Sequence, residues 1–486
     1  MQATYPTHLF SQSVVAQAAD QKGVVTTRRL LWLYCLLWLF EGAVRKWVLP
    51  QFTLVLLLVR DPVVLVIYYS AVRARIFPSN SWLNAFWLIS AVLAVHSFFH
   101  LFTSDMPLDV IAFGFRTFVL HMPLIWVVSA VVGRKEIVLI GKWVLYLAPF
   151  LAALMVIQFK MPLDHWLNAA SLKGGAQIGS SMGKVRPPGF FSFIQGPINF
   201  FALCSAFTIA GFLHPKVFPR WLMAVGIVST LAALSVSGSR GLLLSCVAVC
   251  ACGFLAVVRS GKRIGGAIGV VVVIVAAFAI LSQFEVMRLG REIMVERWVS
   301  VGDDEQNRMS GSQAMVGRYG GIFESAAYWA GKAPLFGYGS GSTSNFAQER
   351  TGYSPPVETE WERVVYEMGP VTASFYLFFR AAFAIALVVW GYQALRVGNY
   401  FTLVLASACA FDMLAGNLRQ VTTYGFTAVC CGLTLAALKA FGPESSESES
   451  GIAQATAVPS IEPTLSERPR VRGRGRFAVG GARIPL

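Results

Sequence analysis

Long apolar runs recur along this chain from about residue 30 to residue 440, and they constrain its fold more than any other feature. The mean hydropathy is +0.60, and 56% of the 486 residues are hydrophobic while only 13% are charged. Inside a bilayer only α-helices and closed β-barrels satisfy every backbone hydrogen bond. Because the runs are too long for barrel strands and do not alternate, the sequence predicts an all-α polytopic membrane protein.

The length and spacing of the runs predict about twelve transmembrane helices. Roughly 29 polar and mixed residues precede the first run and no small-residue cleavage pattern follows it, so we expect the first helix to remain as an anchor. The predicted spans are 30–48, 52–70, 82–101, 109–131, 137–159, 190–212, 220–237, 241–258, 264–282, 368–391, 400–417 and 421–440.

The distribution of basic residues predicts the orientation of these helices. Lysine and arginine concentrate in cytoplasmic loops, and here they fill alternate loops, which places both termini in the cytoplasm. This topology accounts for the net charge of +15 better than a nucleic-acid partner does. Arg45 and Lys46 are the exception, because they fall at the outer face. Either the first helix is irregular there or these two charges have a specific purpose.

The predicted topology divides the chain into a bundle, loops and tails. A cytoplasmic segment, 1–29, precedes the first part of the bundle, 30–282, which includes an outer loop at 160–189. A large periplasmic loop follows at 283–366, and helical spacing over 319–329 before Gly331 and Pro334 predicts a helix within it. The last helices occupy 367–440. The tail, 441–486, has a composition typical of disorder and ends in an arginine cluster that is either solvated or bound to anionic lipid.

Histidine and cysteine give little sign of a metal site. All eight cysteines lie in apolar runs, where a thiol packs as a small hydrophobe, so no disulfide framework or zinc site is predicted. His96 and His100 share one helix face, but no third ligand is near them in the sequence, and we interpret them as hydrogen-bonding residues. Asp61 lies inside an apolar span, where a charge is costly, so we expect it to pair with a basic residue of a neighbouring helix.

Arginine is unusually common on the predicted outer face, against the usual bias. Its planar guanidinium binds phosphate through two hydrogen bonds and keeps its charge, which suits a diphosphate headgroup. The alternative is that individual arginines form salt bridges with acidic residues of the same loops. The outer arginines are Arg186, Arg240, Arg291, Arg297, Arg308, Arg318, Arg350, Arg363 and Arg419.

Three of these arginines open distinctive segments. Arg186 begins RPPGFFSFIQGPINFFA, Arg240 lies in the SGSRG turn, and Arg318 begins GRYGGIFESAAYWAGKAPLFGYGSGS. A Glu-x-Gly pattern follows at Glu367 and Gly369, and EGAVRKWVLP lies near the other end. In their order and placement these segments resemble the O-antigen ligase and Wzy-type polysaccharide polymerase superfamily, and the likeness covers most of the membrane portion.

The resemblance implies a C-type glycosyltransferase-like enzyme of the bacterial inner membrane. Members of this superfamily act at the periplasmic face on undecaprenyl-diphosphate-linked glycans, without a nucleotide sugar, metal or other cofactor. The implied partners are therefore the lipid-linked glycan and the bilayer, with a chain-length regulator and export machinery as further candidates and no nucleic acid.

The resemblance also suggests roles for individual residues. The donor sugar is already activated by diphosphate, so the protein must stabilise the leaving group and supply a base. We assign leaving-group stabilisation to Arg240 and Arg318, and the base to Glu358 or Glu360. The alternative for both glutamates is pairing with Arg363 and other loop arginines. The predicted substrate-binding residues are Arg186, Arg363, Glu367, Arg419 and Asp61.

The absence of one histidine favours a polymerase over a ligase. Ligases of the superfamily generally carry a histidine late in the large loop, whereas the outer-loop histidine of this chain is His165, in the earlier loop. The sequence therefore predicts polymerisation of repeat units, with transfer to lipid A core as the alternative. A flippase is a third hypothesis, but such transporters usually contain two related halves, and no internal repeat is evident here.

Overall fold

The computed structural model describes residues 21–104, 106–170, 183–214, 217–260, 272, 275–299, 311–353 and 355–441. Regular structure in these residues is helical. We number the α-helices in chain order. They are α1 (Gln21–Ala43), α2 (Thr53–Leu57), α3 (Arg60–Arg73), α4 (Ser81–Thr103), α5 (Leu108–Val119), α6 (Leu124–Val131), α7 (Arg134–Lys160), α8 (Gln195–Leu213), α9 (Arg220–Ser237), α10 (Arg240–Ser260), α11 (Glu285–Val299), α12 (Gly311–Lys332), α13 (Asn345–Thr351), α14 (Glu360–Ala394), α15 (Tyr400–Ala415) and α16 (Val421–Ala440).

The apolar runs form helices suited to a bilayer, as expected. Ten helical segments of the described residues are long and apolar enough to cross a membrane, and α15 is a shorter apolar helix. These eleven correspond to eleven of the twelve predicted spans. The remaining span, 264–282, lies mostly outside the described residues, although 275–281 are helical. The protein is therefore a polytopic helical membrane protein.

Two predicted spans are broken rather than continuous. The second divides into α2 and α3, and the fourth divides into α5 and α6 around Leu120–Pro123. A proline lies at each restart, Pro62 in the first turn of α3 and Pro123 immediately before α6. Proline lacks the N–H that a helix interior needs and is tolerated in a first turn. The breaks place Asp61 and His121 at helix ends, where their side chains can meet.

Three predicted helix starts are wrong. The first helix, expected from 30, begins at Gln21, so the end of the predicted cytoplasmic segment 1–29 is helical. The span expected from 190 begins at Gln195, because the preceding residues adopt turns. The span expected from 368 begins at Glu360, where the Thr359 side chain accepts a hydrogen bond from the Glu362 N–H. The end of the large loop is thus the first part of α14, which bends at Gly369 with φ 71°.

The large loop contributes a helix that packs on the bundle. The predicted helix over 319–329 is part of α12, which ends at Lys332 just before Pro334 and lies against α14. After α12 the chain forms a glycine-rich loop, residues 334–344, that contacts the bundle closely. A Cβ on Gly337 would lie 2.4 Å from the Gly369 nitrogen, and one on Gly369 would lie 2.5 Å from the Gly337 nitrogen. The glycine-rich loop therefore touches α14 backbone to backbone.

A second close contact supports a test of this docking. A Cβ on Gly114, in α5, would lie 2.2 Å from the Gly341 nitrogen. Gly114→Ala should lower stability by about 1–3 kcal/mol, because backbone atoms cannot move aside as a side chain can. Thermal unfolding of purified protein in detergent would measure the effect. Gly331→Ala is the control, since a Cβ there meets no atom within 4 Å. Equal melting temperatures for the two variants would contradict this packing.

Candidate functional site

A buried glutamate joins α1 to α3. Glu41 accepts a hydrogen bond from Arg45 Nη1 at 3.2 Å, and its Oε2 lies 3.0 Å from Arg60 Nε in an ion pair. Arg60 is almost fully buried, and its Nη2 also donates to the Val421 carbonyl at 2.6 Å. A buried charge is tolerated only when it is paired and hydrogen-bonded. These contacts therefore fix the start of α3 against both α1 and α16.

The two basic residues that the predicted topology left unexplained anchor the RPPGFFS segment. Lys46 Nζ donates to the Gly189 carbonyl at 2.6 Å, and Arg45 Nη1 lies 3.4 Å from Ser192 Oγ. The helix is also irregular at this point, because α1 continues as a π-helix over Val44–Val48. Both explanations offered by the sequence therefore hold, and EGAVRK and RPPGFFS form one packed unit.

Asp61 and Arg116 form the next ion pair. Arg116 Nη2 donates to Asp61 Oδ1 at 2.7 Å, and its Nε also donates to Asp61, so the pair is bidentate. The predicted pairing of Asp61 with a neighbouring helix is confirmed. His121 is buried, and its Nε2 lies 3.7 Å from Asp61 Oδ1 without completing a hydrogen bond within the described residues.

Arg116 and His121 face a small cavity shared with Arg419. Thr117, Leu418, Val421 and Tyr424 complete its wall. The cavity therefore has two guanidinium groups and an imidazole on its surface, inside a largely apolar bundle. Electrostatic interactions are strong in such surroundings, because little water screens them. Each of the two guanidinium groups is also paired with a carboxylate, Asp61 or Glu367.

Glu367 connects this cavity to the glycine-rich loop. Its Oε1 lies 2.8 Å from Arg419 Nη1 and accepts from Thr343 Oγ1 at 2.5 Å, and its Oε2 accepts from the Gly341 N–H at 2.9 Å. Its backbone carbonyl accepts from the Gly339 N–H. Glu367 is fully buried. The Glu-x-Gly pattern, the glycine-rich loop and Arg419 are thus brought together around one carboxylate.

The two glutamates proposed as bases occupy different environments. Glu360 is buried and pairs with Arg380 Nη1 at 3.1 Å, and Arg380 also donates to the carbonyls of Met413 and Gly416. Glu358 is exposed, and it lines an open cavity with Thr359, Glu362, Ser325 and Trp329 among others. Of the two, Glu358 is accessible to solvent, whereas Glu360 is enclosed and held in an ion pair with Arg380.

The other predicted site residues lie on separate elements. Arg186 is half-buried in the segment before α8, and Arg240 is half-buried at the first residue of α10. Arg363 lies within electrostatic range of Arg419, Glu360 and Glu367. Arg318 belongs to α12, but its side chain lies outside the described residues.

Sequence reasoning missed two members of this site. The sequence indicates Glu41 only as the first residue of the EGAVRKWVLP segment. Arg380 was not predicted as a site residue, although it is a single charge inside an apolar run. Such a residue in a membrane span indicates a buried partner, so the signal was present. Arg116 and His121 gave the same signal, but only the fold shows that they share a cavity with Arg419.

Neither a protein-family model nor a curated protein matches the sequence of this chain. The order of the motifs and the contacts between them therefore carry the functional argument. The class that the fold defines is that of a multi-pass helical membrane protein with a buried, arginine-rich polar site.

The different environments of Glu358 and Glu360 predict different effects of substitution on the free energy of unfolding. Glu360→Gln should cost about 3–5 kcal/mol, because it leaves the Arg380 charge buried without its carboxylate. Glu358→Gln should leave stability within about 0.5 kcal/mol, as expected for an exposed side chain. Thermal unfolding of the two variants in the same detergent gives the comparison. A melting temperature for Glu360→Gln equal to that of the unsubstituted protein would show that the Glu360–Arg380 ion pair does not stabilise the fold.

Proposed function

We propose that this protein is an inner-membrane glycosyltransferase that polymerises undecaprenyl-diphosphate-linked oligosaccharide repeat units at the periplasmic face. One observation carries the proposal. Glu367 and Arg419 join the glycine-rich loop and the Glu-x-Gly pattern, two motifs of the resembled superfamily, to a cavity lined by Arg116 and His121.

The reaction needs no external energy source. A hydroxyl of the acceptor unit attacks the anomeric carbon of the donor, and a new glycosidic C–O bond forms. The bond between that carbon and the diphosphate oxygen breaks, and undecaprenyl diphosphate leaves with the bonding electrons. The acceptor proton passes to a base. Because the leaving group gains negative charge, fixed cations lower the barrier.

Arg116 and Arg419 are suited to bind this diphosphate. Each guanidinium is held by a carboxylate, Asp61 or Glu367, so it is oriented before substrate arrives. A preoriented cation in a low-dielectric site stabilises developing charge without reorganising. Arg186, Arg240 and Arg318 are further candidates, on segments that the resemblance associates with the lipid-linked substrate.

Glu358 is the better candidate for the base. It is exposed beside an open cavity, whereas Glu360 is held by Arg380. General-base catalysis requires that the carboxylate reach the acceptor hydroxyl. In this proposal Glu358 accepts the acceptor proton, and the predicted role of Glu360 becomes the positioning of the first turns of α14.

Deletion of the gene tests the function directly. Surface or secreted polysaccharide from the deletion strain should be reduced to single repeat units, because the lipid-linked units are made and exported but not joined. Gel sizing and mass spectrometry of the glycan give the measurement. Unattached long chains would indicate a ligase instead, and repeat units retained at the cytoplasmic face would indicate a flippase.

Single arginine variants test the mechanism. Arg419→Lys, Arg240→Ala and Arg318→Ala should each abolish polymer in the deletion strain while protein level stays normal, since loss of one stabilising guanidinium costs roughly a hundredfold or more in rate. Lysine is used at position 419 because it keeps a cation beside the buried Glu367. Arg396→Ala is the control, because this exposed arginine lies in the turn after α14, far along the chain from Gly369. Full-length polymer from any of the three variants would remove that arginine from the mechanism.

A further inference from the structure

A second, larger groove opens beside the ionic site. It has a volume of about 640 Å³ and lies between the end of α4, the glycine-rich loop, α12 and the start of α14. Tyr366 forms part of its wall, and the next residue in the chain, Glu367, holds Arg419. The groove is therefore linked to the arginine cavity through Tyr366, which lines the groove, and the neighbouring Glu367, which pairs with the cavity residue Arg419.

Aromatic side chains form much of the groove. Tyr338 and Tyr366 stack with ring centroids 4.3 Å apart, and Trp329 meets Tyr366 edge-on at 5.0 Å. Tyr353 also lines the groove, and it is 53% exposed. Tyrosine and tryptophan combine a broad apolar face with a polar group. Such a surface matches a sugar ring, which has C–H groups on its faces and hydroxyls at its edge.

Two buried polar atoms in the groove wall lack hydrogen-bond partners in the described residues. One is Ser342 Oγ, in a residue that is only 3% exposed, and the other is His100 Nδ1, in a residue that is 4% exposed. His100 Nε2 lies 2.7 Å from the Phe336 carbonyl oxygen, which can only accept, so this nitrogen carries the proton. In the neutral ring Nδ1 is then an acceptor. The wall thus offers an unused hydroxyl and an unused acceptor.

These atoms distinguish between two occupants. An isoprenoid chain would fill the groove but leave Ser342 Oγ and His100 Nδ1 unsatisfied, at a cost of about 1–3 kcal/mol for each. A saccharide brings hydroxyls that both donate and accept. The aromatic faces and the two unused polar atoms together favour the saccharide.

We propose that this groove binds the glycan portion of the lipid-linked substrate, next to the site that binds its diphosphate. The identity of the glycan rests on the proposed function, whereas the capacity to bind sugar rests on the groove alone. The groove then supplies recognition of the repeat unit, and the arginine cavity supplies recognition of the diphosphate.

Binding of a soluble glycan tests the proposal. The probe is a set of oligosaccharides of one to three repeat units, released by mild acid from the polysaccharide of the source bacterium and free of lipid and diphosphate. Isothermal titration calorimetry on the full-length protein in nanodiscs should show binding. Ser342→Ala and Tyr353→Ala should each weaken it about tenfold, as expected for loss of one hydrogen bond or one aromatic contact.

Matched controls separate the groove from the general surface. Ser374→Ala and Tyr69→Ala replace an exposed serine and an exposed tyrosine outside the groove, and both should leave the affinity within about twofold. In the absence of sugar, Ser342→Ala should melt no lower than the unsubstituted protein, because its hydroxyl has no hydrogen-bond partner among the described residues.

A second titration identifies the occupant. Undecaprenyl diphosphate without sugar should bind the groove variants and the unsubstituted protein equally, and Arg419→Lys, which keeps a cation beside Glu367, should weaken this binding. Undetectable oligosaccharide binding would overturn the proposal, as would weaker undecaprenyl diphosphate binding by Ser342→Ala or Tyr353→Ala, since the groove would then hold the isoprenoid. Normal polymer in the deletion strain would instead refute the polymerase assignment while leaving measured sugar binding intact.

Discussion

The site is organised by the burial of one carboxylate. Glu367 has no access to solvent, so its charge must be compensated entirely by protein groups, and these come from Arg419 and from Thr343 and Gly341 of the glycine-rich loop. An unpaired charge buried at this position would cost more free energy than the folded state could compensate. The requirement fixes the loop, the start of α14 and the α15–α16 connection in one arrangement.

The same rule extends through the bundle. Glu41 of α1 pairs with Arg60 of α3, and Asp61 of α3 pairs with Arg116 of α5. Arg380 pairs with Glu360 of the same helix and links α14 to the end of α15 through the carbonyls of Met413 and Gly416. Apolar helices pack in lipid without strong preference for register, because lipid tails are as apolar as leucine. Paired charges supply that register. In the proposed enzyme they also orient the guanidinium groups that face the diphosphate, so structure and chemistry use the same residues.

Much of the fold could be predicted from hydropathy, whereas the site could be predicted only in part. Apolar runs identify membrane helices because the bilayer permits few alternatives, and a charge within such a run, as at Asp61, implies a partner. The extension of α14 to Glu360 could not be predicted from hydropathy, since a buried salt bridge makes a polar segment behave as part of the core. Glu358 and Glu360 are the same residue type two positions apart, so the sequence does not distinguish their roles. Only the fold shows that Glu358 is exposed and Glu360 is buried.

Gly337 and Gly369 each occupy the space that a side chain on the other would need. Both also have positive φ angles, 67° and 71°, which disfavour any replacement on conformational grounds. A side chain at either position would therefore clash with the backbone of the other residue. Replacing that other residue cannot relieve the clash, because its backbone atoms stay in place. Natural selection acting on related chains should retain this pair jointly, even where the helices around it diverge.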